Sequence, residues 1–362
     1  MVMNDTYLNQ KFNIYCGDSK DLVKEIELVH CVVTSPPYFQ KRQYGESEKE
    51  IGNEDNINFY VNALCDLFDS INLHPQGNIW VNIGDKRNKD GGLLMVPEQF
   101  ALAMIARKWR LVDNVIWAKV FDEVNGETEG HCMIEPATKR LNGNGWEYFY
   151  RFTKSKDAYC DHCAVRIPRH GGEHIRYMPK ELMELETSTD GRVAHNVWKV
   201  HMGQTSKKHY AVFPTQLCER PIAMTCPMRV KANGDPIERI VEMVEYDEGR
   251  NAKRVFGKYK SLGNEYDEEQ SKAITGRVDS GKQYIPRKPA TKGWTKADDY
   301  AAGIVLDPFC GTGTTGEVAL KLGRSFIGID LYEEFQKIAY DRCKDVFTNL
   351  NKQKLNPWEL EK

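Results

Sequence analysis

Apolar positions along this chain fall in short β-branched runs separated by stretches of helical period. That alternation predicts an α/β protein with a doubly wound, mostly parallel sheet. Phe12 to Cys16 and Val29 to Val33 read as strands, with a helix-like segment from Asp18 to Leu28 between them. The second run stops at Thr34-Ser35-Pro36-Pro37-Tyr38. Adjacent prolines neither continue a ladder nor sit inside a helix, so this strand opens into a loop. Phe59 to Leu73 has helical spacing, Asn78 to Ile83 is strand-like and ends at Gly84-Asp85, and Val96 to Lys108 is helical. Leu111 to Val120 and Glu147 to Thr153 are further strands. The rhythm resumes near the C-terminus: strand Ile304 to Leu306, a tight turn from Asp307 to Thr315, and a helix from Gly316 to Leu322 closed by Gly323. Strand Ser325 to Ile329, ending in Asp330, and an amphipathic helix from Glu333 to Val346 complete it.

Two segments break this pattern. Residues 158–194 are rich in His, Arg, Gly and Pro, and residues 228–299 hold two strand-like runs, Glu238 to Tyr246 and Lys253 to Tyr259, before a polar basic stretch. Both read as insertions at one end of the sheet. The formal net charge of −2 taken alone argues against a polyanionic partner. Its distribution changes the picture, because Arg250 to Lys296 holds twelve Lys or Arg against five Asp or Glu. Such a local cationic surface attracts phosphates, although a solvated charged loop has the same composition. No run of apolar residues is long enough for a membrane span, and the polar start MVMNDTYLNQ lacks the apolar core of a signal peptide. The ten cysteines are scattered rather than framed as disulfide pairs, which fits reduced thiols in the cytoplasm. Cys160-x-x-Cys163 with His162 has the spacing of half a zinc site, but no second close pair accompanies it and no metal is expected.

The turn after Ile304 to Leu306 lies where open parallel sheets bind ligands, at a strand's carboxyl end. Gly311 and Gly313 permit a sharp turn and clear side chains from a ligand's path, and Asp330 at the end of the next strand can accept hydrogen bonds from ribose hydroxyls. The third glycine of the dinucleotide fingerprint is missing, and Asp307 opens the turn. A carboxylate there repels a pyrophosphate but suits a cationic or amino-bearing ligand such as S-adenosylmethionine, with its sulfonium and α-amino group. This disfavours a NAD-dependent oxidoreductase. In the other turn, Ser35 offers a hydroxyl acceptor, Pro36 and Pro37 hold a rigid backbone with uncontested carbonyls, and Tyr38 offers a flat ring. A proline-capped strand end with a core tyrosine is the bland alternative.

The two turns together carry a resemblance. Ser35-Pro36-Pro37-Tyr38 and Asp307-Pro308-Phe309-Cys310-Gly311-Thr312-Gly313-Thr314-Thr315 resemble the [DNS]-P-P-[YFW] catalytic motif and the D-P-F-x-G-x-G-T-T cofactor motif of the DNA amino-methyltransferases, which modify cytosine N4 or adenine N6. The catalytic motif comes first, as in the family's β arrangement. Tyr15-Cys16-Gly17-Asp18, Asn78 to Asp85, Val115 to Lys119, Glu147 to Ser155, Asn196 to Trp198 and the segment around Phe213-Pro214 resemble further family stretches. The resemblance covers roughly residues 11–157, 195–227 and 301–346. It implies a discontinuous catalytic domain (1–157, 195–227 and 300–348), target-recognition insertions (158–194 and 228–299) and a C-terminal tail (349–362). The long insertion at 228–299 departs from the simplest members.

The resemblance further implies S-adenosyl-L-methionine as cofactor, held by Asp18, Phe213, Thr215, Asp307, Pro308, Phe309, Gly311, Gly313, Thr314 and Asp330. Ser35, Pro36, Pro37 and Tyr38 would act on a base flipped out of double-stranded DNA, with Arg287, Lys288 and Lys292 on its phosphates. No Pro-Cys dipeptide is present, so the covalent route to cytosine carbon-5 is not expected. The serine that opens the tetrapeptide favours cytosine N4 over adenine N6. An RNA methyltransferase and a catalytically silent DNA-binding module are the other readings weighed. A bacterial or phage source, a homodimer and a cognate restriction endonuclease are compatible with the resemblance, and the recognition sequence is not legible.

Overall fold

The computed structural model describes residues 10–42, 45, 47, 49–120, 122–124, 127–129, 145–165, 194–201, 214–245, 287–295 and 299–353. Two compact units divide the chain: Met1–Asp161, His195–Glu238 and Trp294–Lys362 form the first, and His162–Ala194 with Arg239–Gly293 the second.

The first unit is built on an eight-stranded sheet. Its strands are β1 (Phe12–Cys16), β2 (Val29–Thr34), β3 (Leu73–Ile83), β4 (Arg110–Val120), β7 (Trp146–Thr153), β8 (Val197–His201), β11 (Ile304–Asp307) and β12 (Ser325–Asp330). The spatial order is β1-β12-β11-β2-β3-β7-β4-β8. Neighbours are parallel except β7, which runs against both β3 and β4. The chain leaves β11 toward β12 on one side, whereas β2 leads to β3 on the other. The β11/β2 boundary is therefore a topological switch point, where the connections part and leave a crevice. Two short strands, β5 (Asp122–Val124) and β6 (Glu127–Glu129), pair with each other beyond β4.

The central strands are buried throughout. Every residue of β2 and β11 is buried, as expected for strands covered on both faces. One face packs on α2 (Ile57–Ser70) and α3 (Val96–Ala106), the other on α4 (Thr215–Thr225), α5 (Thr314–Lys321) and α6 (Glu333–Gln353). Helix α2 buries Tyr60, Val61, Leu64, Cys65, Leu67 and Phe68, a helical-period stripe, behind an Asn56 cap that accepts from the amides of Asn58 and Phe59. Helix α3 is capped at a distance: Asp85, just past β3, accepts from the Met95 and Val96 amides.

The Asp18 to Leu28 segment forms only a four-residue helix, α1 (Ser19–Leu22), before turning into β2. Nor does the Phe59 to Leu73 helix reach its expected end. Leu73 instead opens β3, whose ladder with β2 shifts register between Val29↔Leu73 and Cys31↔Asn78. Pro75-Gln76-Gly77 lie in that irregularity, where Pro75 has no amide to give the ladder. In the second unit, β9 (Arg239–Glu245) pairs with β10 (Arg287–Trp294), a partner distant in sequence. The expected strand at Lys253 to Tyr259 lies outside the described residues. Residues 228–238, grouped by sequence with the insertion, belong to the first unit, where Val230 bridges to Ala301.

Candidate active site

The carboxyl ends of the parallel strands bring the two sequence turns together. Thr34, the last residue of β2, donates its hydroxyl to the Asp307 carboxylate at the end of β11 over 2.6 Å. The other Asp307 oxygen accepts from Thr315 at 2.7 Å, and the Phe309 amide also donates to the carboxylate. Burial lifts the Asp307 carboxyl to about 6, against the lowering effect of those three donors. One oxygen thus joins the two turns across the switch point, and the other braces the Asp307 to Thr315 turn itself. Thr315 was not among the expected site residues.

Asp307 and Asp330 end the adjacent strands β11 and β12, and Asp18 lies two residues past the end of neighbouring β1. Asp18 caps α1, accepting from the Lys20 amide at 2.9 Å. Asp330 accepts from the amides of Gly311 (2.8 Å) and Tyr332 (3.0 Å), and burial first, with Asp307 adding to it, lifts its carboxyl to about 6. The Gly17 amide donates to the Asp330 carbonyl, and buried Ser19 donates its hydroxyl to the Pro308 carbonyl, so the three strand ends form one rim. Gly311 and Gly313 both have positive φ, +52° and +79°. A Cβ on Gly311 would meet nothing nearer than the Phe309 carbonyl at 4.0 Å, whereas one on Gly313 would lie 2.9 Å from the Ala339 Cα of α6. One glycine keeps a concavity open; the other lets a helix approach. Asp18 and Asp330 beside an open turn fit a ligand bearing hydroxyl donors and positive charge, while buried Asp307 braces the turn behind them. Pro308 is buried and Phe309 half-buried, packed on the core. Thr314 is engaged by Arg342 at 2.9 Å. Thr215 stands half-buried in the first turn of α4, and Phe213 lies outside the described residues.

The tetrapeptide leads into the other half of the crevice. Pro36 is buried, and the Pro37 carbonyl accepts from Tyr60 of α2 at 2.8 Å. Tyr38 donates its hydroxyl to Glu147 at 2.6 Å and lies 3.1 Å from the Asn82 amide oxygen. Glu147 also takes the Lys119 ammonium at 2.6 Å, with both side chains about nine-tenths buried. Burial, reinforced by the Glu147 charge and hydrogen bond, holds the Tyr38 phenol well above its ordinary value. The ring lies over Gly84, where a Cβ would come within 2.7 Å, and Lys41 sits 5.2 Å from its centroid. Ser35 is held loosely, 3.5 Å from both Tyr38 Oη and Asn82 Oδ1. Asn82, Lys119 and Glu147 fall inside stretches singled out by resemblance, but nothing in their spacing marked them. Each is a polar residue at the end of an apolar strand. The antiparallel run of β7 brings Glu147 to the same edge as the carboxyl ends of β3 and β4.

Comparison with known proteins identifies the family. A family model described as DNA methylase matches residues 29–235 and 294–341, more than half of the chain. The chain belongs to the N6/N4 DNA methylase family. It is 26% identical to the type II methyltransferase M.SmaI of Serratia marcescens over 91% of this chain and 89% of that one. Against M.SfiI of Streptomyces fimbriatus it is also 26% identical, over 91% and 90%. Among solved structures, the PvuII DNA methyltransferase, titled cytosine-N4-specific, superposes with a TM-score of 0.51 at 16% identity, covering 94% and 93% of the two chains. The fold is that of the S-adenosylmethionine-dependent methyltransferases. As a DNA methylase the protein takes its methyl group from S-adenosyl-L-methionine. No described helix is long and apolar enough to cross a membrane, and no group of three metal-ligating side chains occurs among the described residues.

Arg287 and Lys288 lie on β10, in the second unit, as does Lys292, which is exposed.

Proposed function

We propose that this DNA methylase transfers the methyl group to the N4 amino group of cytosine, in the manner of a bacterial or phage type II modification enzyme acting in the cytoplasm. The observation that carries this reading is Ser35 at the head of the tetrapeptide, a short hydroxyl at the rim of the cleft where adenine enzymes of the family usually present Asp or Asn. A hydroxyl is shorter than a carboxylate, and its lone pairs can accept a hydrogen of the amino group.

In this reading Asp18 and Asp330 hold the adenosine and Asp307 the rim they share. Gly311 and Gly313 shape the turn, Pro308, Phe309 and Thr314 build its walls, and Phe213 and Thr215 close over the methionine end. The bound cofactor supplies an electrophilic methyl on a sulfonium. The target base leaves the duplex at a cost of a few kcal/mol, and the Tyr38 ring recovers about 1–3 kcal/mol of that by stacking. Ser35 and the Pro36 carbonyl accept the two amino hydrogens, pulling the nitrogen toward tetrahedral geometry so that its lone pair faces the methyl. This is catalysis by positioning and fixed dipoles, without a covalent enzyme adduct. The second unit would read the sequence, with Arg287, Lys288 and Lys292 on phosphates. A cognate restriction endonuclease is the natural companion of such an enzyme.

Mass spectrometry of nucleosides from DNA methylated in vitro tests the assignment. N4-methylcytosine is expected; N6-methyladenine in its place would overturn the base assignment and leave the amino-methyltransferase reading intact.

A further inference from the structure

The Lys119–Glu147 ion pair belongs to neither sequence turn, and the reaction as described does not use it. Two nearly buried charges beside a reaction centre are costly to desolvate, and their hydrogen bonds offset that cost. Glu147 Oε1 accepts from Lys119 and Oε2 from Tyr38, each at 2.6 Å. A carboxylate donates nothing, so the single Tyr38 hydrogen points at Glu147, which is both nearer and charged, rather than at Asn82 at 3.1 Å. Asn82 is oriented independently: its amide nitrogen donates to the Tyr148 carbonyl at 2.9 Å, which turns its oxygen toward the cleft. Among the described residues, the two atoms within reach of Ser35 Oγ, Tyr38 Oη and Asn82 Oδ1, are therefore both acceptors. The Ser35 hydrogen is directed back into the protein, and its lone pairs are left for the substrate.

We infer that Lys119 and Glu147 are positioning residues that fix the direction of the hydrogen-bond chain Ser35 → Tyr38 → Glu147, making Ser35 an acceptor for the amino hydrogen of the target base. The inference rests on the reading of Ser35 and Tyr38 as the residues that grip the base. The contacts at 3.5 Å are long, and catalytic hydrogen bonds often tighten only once substrate is bound. A carboxylate at the head of the tetrapeptide would be an acceptor without help; a serine needs its hydrogen disposed of, and the ion pair does this.

Glu147→Gln reverses the polarity while preserving shape. Lys119 claims the single amide oxygen, the amide nitrogen turns to Tyr38 Oη, and the Tyr38 hydrogen is pushed toward Ser35 and Asn82. With tritiated S-adenosylmethionine and unmodified genomic DNA, E147Q is expected to lose at least about tenfold in kcat, with KM for the cofactor unchanged. Adding Lys119→Met frees the glutamine to turn its oxygen to Tyr38, so K119M/E147Q recovers most of the loss. A merely structural pair gives the opposite result, with the double variant as impaired as E147Q or worse, and that overturns the inference. Should E147Q not fold, K119M/E147Q against K119M/E147L serves, since both are uncharged and only the leucine cannot accept from Tyr38. K119M/E147L is expected at least about tenfold slower, and equal rates overturn the proposal. S35A separates the two levels. Full activity in S35A removes the reading of Ser35 and the inference with it. Loss in S35A with parental activity in E147Q removes the inference alone.

Discussion

In the proposed reading, the carboxyl groups at the strand ends hold the cofactor. Asp330 is poised at about 6, so it is largely neutral at pH 5 and ionised at pH 7. A cationic ligand favours the ionised form. Cofactor affinity is therefore expected to rise as pH increases from 5 to 7 and to level off above that. Asp330→Ala should weaken binding by about 1–3 kcal/mol, the cost of unpaired ribose hydroxyls together with a freed Gly311 amide, and should flatten the pH dependence. Calorimetry at two pH values checks both; equal affinity in parent and variant removes Asp330 from the site. At this scale the sequence was informative wherever a residue type is chemically singular. Ser35, the paired prolines, Tyr38 and the aspartates at strand ends were readable because nothing in a plain strand end calls for them. Thr34, Thr315, Asn82, Lys119 and Glu147 were not, because a threonine in a strand or a lysine at its end has ordinary explanations.

At the scale of elements, the turn from Asp307 into α5 shows two glycines with different duties. Gly313→Ala places a methyl against the α6 backbone in a left-handed conformation, and should cost about 2–4 kcal/mol of stability. Gly311→Ala faces open space, so its stability cost is expected near the roughly 1–2 kcal/mol of the backbone conformation alone, while cofactor affinity falls as the concavity fills. Thermal denaturation and calorimetry on the two variants should give opposite orders; the same order in both would deny the turn its division of labour. The basic strand β10 permits a second test. Neutralising Arg287, Lys288 and Lys292 together should weaken DNA binding and reduce the slope of log affinity against log salt by about one unit for each phosphate that is no longer neutralised. An unchanged slope would make the strand a solvated edge. Most element types of the first unit were legible from period, whereas α4, β8 and β10 were not. Pairing was not, since β9 finds its partner at β10, and no local pattern reports the pairing of segments so far apart.

At the scale of the whole molecule, segment 239–293 leaves and re-enters the first unit at hydrogen-bonded neighbouring positions. The Thr295 amide donates to the Glu238 carbonyl at 3.1 Å, and Arg229 lies between the rings of Trp294 (4.8 Å) and Tyr300 (4.3 Å), so the chain enters and leaves through neighbouring, anchored positions. Replacing residues 239–293 by a short glycine-rich linker should leave a folded first unit that still binds S-adenosylmethionine by calorimetry. The same protein should lose site-specific methylation when its DNA product is sequenced for modified bases. Retained site specificity would place sequence reading in the first unit. The net charge of −2 and the basic balance of Arg250 to Lys296 are reconciled by this separation, because binding to phosphates depends on local rather than total charge.

By itself the sequence determined the layered α/β class, the order of most of the elements and the two turns proposed to carry the chemistry. Hydrophobic period and turn residues act over a few positions, and both are written locally. The tertiary structure alone decided how those turns meet. The crevice depends on which strands lie side by side, a matter of pairing across the 273 positions that separate Thr34 from Asp307. The same holds for the antiparallel course of β7, which carries Glu147 to the end of the sheet where Tyr38 and Lys119 wait. Hydrogen-bond direction in the cleft follows from that arrangement, because a donor is oriented by the acceptors that folding places around it.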